Sequence, residues 1–196
     1  MFLKVHFLRF VKALLITAFF YFSWLMLRIT LEYIPFDRNV SFLMIKQTEV
    51  HSRPEYIWIF YAHVYTSIFV LFSGFLAIIR KDFLIKNFHQ LMGKIYIFLI
   101  LIFSAPSGVY MAIFANGGFW SQLSFVLLGF LWWWSTYKAY KLAIKRDFIE
   151  HKKWMWRSFA FTLSALTLRM WKVFIVYLFH PNPLLFETVL EACALE

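Results

Sequence analysis

Charged residues are scarce in this 196-residue sequence, since Asp, Glu, Lys and Arg together make up 15% of it. A soluble globular domain carries about 25% charged residues, so the composition excludes an ordinary water-soluble domain. Hydrophobic residues account for 62% of the chain and aromatic residues for 23%. A chain of this length has room for several membrane spans of about 20 residues, but not for a sizeable soluble domain as well. The composition predicts one polytopic transmembrane domain.

Cysteine is nearly absent, with Cys193 as the single residue of its type. One cysteine cannot form an intramolecular disulfide or build a cysteine-based metal centre. The sequence also lacks a nucleophile–base arrangement, a phosphate-binding loop, a dinucleotide fingerprint and a metalloprotease helix. These absences disfavour a hydrolytic or phosphoryl-transfer enzyme and leave open whether the chain is an enzyme at all. We interpret the final Leu195-Glu196 pair as a cloning scar, which leaves residues 1–194 as the domain.

Five apolar segments are each long enough to cross a membrane as a helix. The alternation typical of barrel strands is absent, so we predict an all-α, polytopic transmembrane helix bundle of about five spans. The basic start leads into a full-length span and not into a short apolar core with a cleavage site, which disfavours a secretory signal. No convincing internal repeat is visible. The five segments are 10–34, 56–79, 91–115, 119–143 and 154–179.

Lys and Arg outnumber Asp and Glu by 20 to 10, which gives a formal net charge of +10. The cations cluster at the N-terminus and in residues 80–86 and 138–153, whereas the turn at 116–118 has none. The positive-inside rule then predicts a multi-pass protein of the bacterial cytoplasmic membrane, with the N-terminus in the cytoplasm and the C-terminus outside. We expect the cytoplasmic cations to meet anionic lipid head groups. We do not expect nucleic acid as a partner, because the cations flank spans and form no single basic domain.

Polar and ionisable residues recur in the outer half of the predicted spans, where a charged residue costs about 2.5–3.5 kcal/mol on insertion scales. Such residues usually face the interior of a bundle, so we predict a cationic outer-half pocket. It would bind an anionic or electron-rich ligand, such as a carboxylate, a phosphate, a quinone carbonyl or a haem propionate. The pocket residues are Arg28, Glu32, His63, Tyr110 and Arg169, and Arg157 near the inner boundary is a further residue for propionates or carbonyls.

Small residues lie on the same helix faces as two of these polar positions, and they allow two interpretations. They favour close packing of helices, and they also leave room for a flat or anionic ligand. The small residues are Ser158, Thr162 and Ala165 between His151 and Arg169, and Ser67, Gly74 and Ala77 after His63.

Pro106 is a separate feature of the third span. A proline inside a helix predicts a kink or local unwinding there.

Histidines at the span ends raise the question of a b-type haem. Bis-histidine ligation needs two histidines on different helices at one depth, facing each other. His89 and His151 share the inner end of the third and fifth spans, whereas His63 lies deeper with no histidine at its own level. The inner pair could instead tie helices together by bonding nearby carbonyls or carboxylates. A zinc or copper site is disfavoured because carboxylate and thiolate ligands are lacking.

Three stretches of the sequence carry a resemblance to a known family. They are His89-Gln-Leu-Met-Gly93-Lys-Ile-Tyr96, Ala115-Asn-Gly-Gly118 and Arg146-Asp147-Phe-Ile-Glu-His151-Lys-Lys-Trp154-Met155-Trp-Arg157, with Arg169 further on. Together they resemble the bacterial membrane family catalogued as domain-of-unknown-function family 2306. The resemblance implies a polytopic membrane protein, and its members tend to continue into a further apolar helix. The implied signature positions are His63, His89, Gly93, Tyr96, Asp147, His151, Trp154, Arg157 and Arg169.

Two classes of function remain after these exclusions. The first is a redox or electron-transfer membrane protein that binds b-type haem or a quinone, with histidines as ligands or proton acceptors. The second is a non-redox transporter, sensor or binding protein that takes a small anion or a lipid through the cationic outer-half pocket. The sequence combines small residues that leave room for a flat ligand with many aromatic residues and several histidines. This combination favours the first class.

Overall fold

A computed structural model describes residues 2–34, 36–79 and 87–179 of the chain. Within these ranges every regular element is a helix and none is a strand. The elements are α1 (Phe2–Glu32), a 3₁₀ segment (Ser41–Lys46), α2 (Gln47–Ser52), α3 (Pro54–Ile79), α4 (Phe88–Leu99), a π-helical turn (Ile100–Ser104), α5 (Ala105–Ile113), α6 (Gly118–Ile144) and α7 (Phe148–Phe179).

The long helical units agree with the five predicted spans, because α4, the π turn and α5 run on as one helix. Three units have both the length and the apolar composition to cross a membrane: Arg9–Glu32, Pro54–Ile78 and Phe88–Ile113. The other two units, α6 and α7, have 27 and 32 residues and pack against each other and against the rest of the bundle. The prediction of an all-α bundle with about five spans is confirmed.

Four of the units form the bundle and the fifth lies along its side. α3 packs against α4 and α5, α5 packs against α6, and α6 packs against α7, which in turn contacts α3. α1 contacts only α3 and α7 closely, and Phe19 stacks on Phe75 there with ring centroids 4.3 Å apart. Large apolar side chains such as Trp58, Phe69 and Phe98 are exposed on the surface, as expected where a helix faces lipid.

Pro106 disturbs the third span, and the disturbance is the π turn just before it. In a π turn the backbone N–H bonds to the carbonyl five residues earlier. Pro106 has no N–H, so it cannot donate to the carbonyl of Leu101. The indole Nε1 of Trp133 in α6 donates to that carbonyl instead, at 3.2 Å. The local unwinding predicted from the sequence is therefore present, and a neighbouring helix satisfies the backbone that it frees.

Residues 36–52 form a cap over the end of the bundle that carries the α5–α6 turn, which we call the outer end. Lys46 anchors this cap, and its side chain is only 2% exposed. Its Nζ donates to Glu49 Oε1 at 3.1 Å, to Asn116 Oδ1 at 2.6 Å and to the carbonyl oxygen of Phe114. The three hydrogens of the ammonium group thus have three acceptors, which hold the cap against the α5–α6 turn.

Several predictions concern residues outside the described ranges. These are the basic segment 80–86, Cys193, the Leu195-Glu196 pair and the further apolar helix that the resemblance implies.

Candidate functional site

Two histidines at the inner end of the bundle make the same hydrogen bond. Nδ1 of His89 donates to the carbonyl oxygen of Ala77 at 2.8 Å, and Nδ1 of His151 donates to that of Ala139 at 2.8 Å. Each acceptor lies 12 residues earlier, on the preceding helix. A carbonyl oxygen only accepts, so Nδ1 carries the hydrogen and Nε2 of the neutral ring keeps its lone pair. Each histidine therefore ties two helices together and leaves Nε2 as an acceptor.

The sides of α4 and α7 that carry these histidines face each other across the bundle. Tyr96 and Ser158 follow His89 and His151 by seven residues, about two helical turns, and so lie on the same sides of their helices. The hydroxyl oxygen of Tyr96 is 2.9 Å from Oγ of Ser158. The histidines consequently occupy facing positions, about 10 Å along the helices from the Tyr96–Ser158 contact.

A buried hydroxyl cluster fills the centre of the bundle. The hydroxyl of Tyr96, a fully buried residue, also lies 2.8 Å from Oγ1 of Thr162. Oγ1 of Thr136 is 2.6 Å from Oγ of Ser158, and Nε1 of Trp132 donates to Oγ1 of Thr162 at 3.2 Å. We call these five residues the hydroxyl cluster. Because its polar atoms are paired with one another, the cluster can join α4, α6 and α7 in an interior that water does not reach.

The small residues of α3 and α7 serve mainly to pack this cluster. A Cβ at Gly74 would lie 2.6 Å from Cε2 of Tyr96, so only glycine lets the ring pass α3. Ser158 and Thr162 belong to the hydroxyl cluster itself, whereas Ala165 is exposed. Close packing is therefore the interpretation that these contacts favour for the two stripes.

Two helical hairpins of the bundle carry matching histidine bonds. α3 with α4–α5, and α6 with α7, form two helical hairpins, and a tie of 12 residues closes each of them. A shift of 62 residues, the separation of Tyr96 from Ser158, relates the two hairpins. Ser73, Ala77 and His89 thereby correspond to Ser135, Ala139 and His151. These positions share the histidine tie, although no convincing internal repeat is visible in the sequence.

His63 lies further towards the outer end and is held in the same manner. Its Nδ1 donates to the carbonyl oxygen of Ser104 at 2.9 Å and lies 3.2 Å from Oγ of Ser107. Gly108 lies against the ring, since a Cβ there would be 3.0 Å from Cε1. Ser104 is the last residue of the π turn, so the turn that precedes Pro106 positions this imidazole. Nε2 of the neutral ring again keeps its lone pair.

Arg169 in α7 lies within electrostatic reach of His63 and of Tyr33, and its side chain is partly buried. Tyr33 directly follows α1 and is 3% exposed. Its carbonyl oxygen accepts a hydrogen bond from the hydroxyl of Tyr65 at 2.6 Å, which fixes it against α3. We call His63, Arg169 and Tyr33 the outer layer. α3, α7 and the residue that directly follows α1 supply it, and Arg169 is its cation.

The other residues predicted for the outer pocket are Arg28, Glu32 and Tyr110, and they lie nearer the surface or the outer end. Arg28 and Glu32 are exposed on α1, whose closest neighbours among the described helices are α3 and α7. Tyr110 donates from its hydroxyl to Oε1 of Glu55 at 3.1 Å, close to the outer end of α3. Of the predicted pocket residues, His63 and Arg169 lie within electrostatic reach of each other, and Glu32 adjoins their neighbour Tyr33.

Arg157 and Trp154 lie on the surface near the inner end. The guanidinium carbon of Arg157 is 4.3 Å from the Trp154 ring centroid, and Nζ of Lys138 is 4.1 Å from it. Arg157 is exposed, which is typical of a cation that reaches towards the membrane surface. Asp147 precedes α7, and its Oδ1 accepts a hydrogen bond from the backbone N–H of Glu150 at 3.2 Å, which caps the helix.

Four residues that build these sites were not identified from the sequence: Tyr33, Ser104, Trp132 and Thr136. Tyr33 adjoins the predicted pocket residue Glu32 but belongs to no motif. Ser104 lies next to Ala105-Pro106, so a predicted unwinding is the one local signal that could have pointed to its carbonyl. Thr136 follows three tryptophans in α6, and nothing in that segment indicates a partner on α7.

The side chains that could ligate a metal ion or a haem iron differ in number and position. Among the described residues, no three of His, Cys, Asp and Glu come together as a metal cluster. A b-type haem needs only two axial ligands, and His89 and His151 agree with this in residue type, tautomer and facing position. Gly93, one turn after His89, has nothing within 4 Å of its Cβ position, so open space adjoins that histidine. The residues present therefore fit a bis-histidine haem.

A family model described as a predicted membrane protein, domain of unknown function 2306, matches residues 60–195. The match covers more than half of the chain, including both histidine ties, the hydroxyl cluster and two members of the outer layer. No curated protein and no solved structure matches the chain. The family agrees with the resemblance carried by the histidine and Trp-Met motifs, and the chain belongs to this family of predicted membrane proteins, domain-of-unknown-function family 2306.

Proposed function

We propose that this membrane protein is a redox protein that holds a b-type haem between His89 and His151 at the inner end of the bundle. The observation that supports it is the pair of equal Nδ1–carbonyl bonds, at 2.8 Å each, on facing sides of α4 and α7. Such a bond fixes the ring and makes Nε2 a better donor to iron, as in other metal-ligating histidines. A bound haem would supply one-electron transfer inside the membrane.

The residues around the histidine pair have separate roles in this proposal. The carbonyls of Ala77 and Ala139 orient the two imidazoles. The glycine at position 93 leaves room beside His89, and the fully buried ring of Tyr96 closes the space on the outer side. The Tyr96 ring thereby separates the histidine pair from the outer half of the bundle.

The reduced-minus-oxidised absorbance spectrum of the purified protein tests the proposal. We expect a b-type difference spectrum from protein produced with adequate haem supply. Replacing His89 or His151 with asparagine should abolish the Soret band, because the asparagine amide can still donate to the alanine carbonyl but cannot ligate iron. The helix tie is kept, so thermal unfolding should change little in the same variants.

His51 provides the matched control. Its Nδ1 also donates to a backbone carbonyl, that of Gln47 at 2.7 Å, but the residue is exposed in the cap. His51→Asn should therefore leave the spectrum unchanged. A colourless wild-type protein, or a Soret band that survives in both His89→Asn and His151→Asn, would refute the haem site.

A quinone is the second redox ligand that we propose, and the outer layer supports it because an imidazole acceptor lies near a partly buried cation. The same cation also supports a non-redox alternative, in which the outer layer takes a small anion or a lipid head group. The two differ in hydrogen-bonding chemistry, because a quinol carries O–H donors and a small deprotonated anion carries acceptors alone.

We infer that the chain lies in the bacterial cytoplasmic membrane with its inner end facing the cytoplasm, where the cations meet anionic lipids. Supporting this, Lys138 and Arg157 approach the same Trp154 ring, within 4.1 and 4.3 Å of its centroid. A tryptophan flanked by two cations is typical of a helix at the membrane interface, and cations near anionic head groups gain about 1 kcal/mol each.

Cysteine labelling tests this orientation. A membrane-impermeant thiol reagent should modify Cys193 in intact cells, because the proposed orientation puts the C-terminus outside. A cysteine introduced at Lys4 should react only after the cells are permeabilised. The reverse pattern, with Cys193 protected and position 4 accessible, would invert the topology.

A further inference from the structure

We propose that the outer layer is a binding site for the head group of a quinol. In this site Nε2 of His63 accepts the hydrogen of one ring hydroxyl, and the guanidinium of Arg169 donates to the oxygen on the opposite side of the ring. The assignment to a quinol rests on the proposed redox function, and the binding itself can be measured without haem. The residues come from α3 and α7, which contact each other directly.

The fixed tautomer of His63 decides which ligand chemistry fits. Because Nδ1 donates to the Ser104 carbonyl, Nε2 of the neutral ring can only accept. A second positive charge beside Arg169 is unfavourable where water is scarce, so we take the imidazole as neutral. A deprotonated anion has acceptor atoms alone and would oppose the lone pair of Nε2. A quinol has an O–H group for the histidine and a second oxygen for the arginine.

The imidazole is also held in place, as a specific site requires. The π turn supplies the Ser104 carbonyl, the hydroxyl of Ser107 lies 3.2 Å from Nδ1, and Gly108 packs against the ring. Ser107 is itself buried and donates to the carbonyl oxygen of Phe103. The direction of the Nε2 lone pair is therefore set by three residues within little more than one turn of the third span, and it does not depend on the ligand.

The depth of the outer layer agrees with a ligand that arrives from the lipid phase. His63 is the tenth residue of α3, about 13 Å along the helix from its outer end. The cap covers that end, and Lys46 holds it to the α5–α6 turn. A lipid-soluble ligand can reach this depth from the hydrocarbon of the bilayer, whereas a hydrated ion would first have to pass the cap.

Binding of decylubiquinol and decylubiquinone to the protein in nanodiscs, measured by quenching of tryptophan fluorescence, tests the site. We expect saturable binding of both, with the quinol bound more tightly. His63→Asn keeps a donor for the Ser104 carbonyl and lacks the Nε2 acceptor, so it should weaken quinol binding about tenfold. Arg169→Gln should weaken both ligands about tenfold or more, since a hydrogen bond to a charged donor is lost.

Arg28→Gln is the matched control, because Arg28 is an exposed arginine in the outer half of α1. The affinity of the Arg28→Gln variant for both ligands should stay within about twofold of the wild-type affinity. No saturable binding by the wild type, or an equal loss in Arg28→Gln and Arg169→Gln, would overturn the site. Binding of benzoate that depends on Arg169, without quinol binding, would support the anion alternative instead.

A measurement on the wild-type chain keeps the proposal testable where a variant does not fold. A photoreactive azidoquinone should label peptides of α3 and α7 around His63 and Arg169, and excess decylubiquinone should prevent the labelling. Labelling confined to other helices would exclude the outer layer as the site. Because this readout needs no haem, a missing Soret band would refute the haem proposal and leave the quinol result standing on its own.

Discussion

Replacing Gly74 with alanine is expected to destabilise the bundle strongly. The new Cβ would lie 2.6 and 2.8 Å from two ring carbons of Tyr96 and 3.0 Å from a ring carbon of Phe159. Overpacking of a core typically costs about 1–3 kcal/mol, and the upper end applies where the neighbour cannot move. The Tyr96 ring is fully buried and its hydroxyl is bonded to Ser158 and Thr162, so it has little freedom to shift. Unfolding in mixed detergent micelles would measure the loss of unfolding free energy.

Gly93→Ala is the control for this substitution. Gly93 is also a helical glycine of the same membrane domain, but a Cβ there meets nothing within 4 Å. Alanine favours a helix over glycine by about 1 kcal/mol, so this variant should be as stable as the wild type or slightly more stable. A Gly74→Ala/Tyr96→Leu double variant should recover part of the lost stability, because the smaller side chain gives way. Equal stability of Gly74→Ala and the wild type would show that Tyr96 does not pass α3 at this point.

The helical membrane class could be predicted from composition, because length and apolar content alone decide whether a segment can cross a bilayer. The local unwinding at the π turn could also be predicted, because Pro106 lacks a backbone N–H whatever packs around the helix. Contacts between helices could not be predicted from local sequence in this way. Tyr96 and Ser158 are 62 residues apart, and the sequence contains no rule that brings these two hydroxyls together.

The candidate site shows the same division between what is local and what depends on packing. His63 and Arg169 were identified because ionisable groups are rare inside membranes. The same argument also selected Arg28 and Glu32, which are exposed, because depth in a span says nothing about which side of a helix meets its neighbours. Tyr33 was missed for the opposite reason. Tyrosines are common throughout this chain, and only the packing of α1 against the bundle distinguishes this one.

The second large effect is expected for Lys46→Met, which should loosen the cap over the outer end. Lys46 is buried, and its removal leaves the carbonyl of Phe114 and the side chain of Asn116 without their shared donor. Leaving a buried acceptor without its donor costs about 1–3 kcal/mol, and Lys46→Met leaves two such acceptors. The loss should be local, because the cap touches the rest of the chain mainly at the outer end. Hydrogen exchange should therefore rise in residues 36–52 and stay unchanged in the hydroxyl cluster.

Lys153→Met separates the effect of burial from the effect of charge. Both lysines pair with a glutamate three positions away, Lys46 with Glu49 and Lys153 with Glu150, but the side chain of Lys153 is 59% exposed. An exposed ion pair contributes about 0–1 kcal/mol, so Lys153→Met should change neither exchange nor unfolding appreciably. If the two variants behaved alike, Lys46 would not anchor the cap. If Lys46→Met also made the outer layer bind benzoate, then the closed cap, together with the histidine tautomer, excludes small anions from that layer in the wild type.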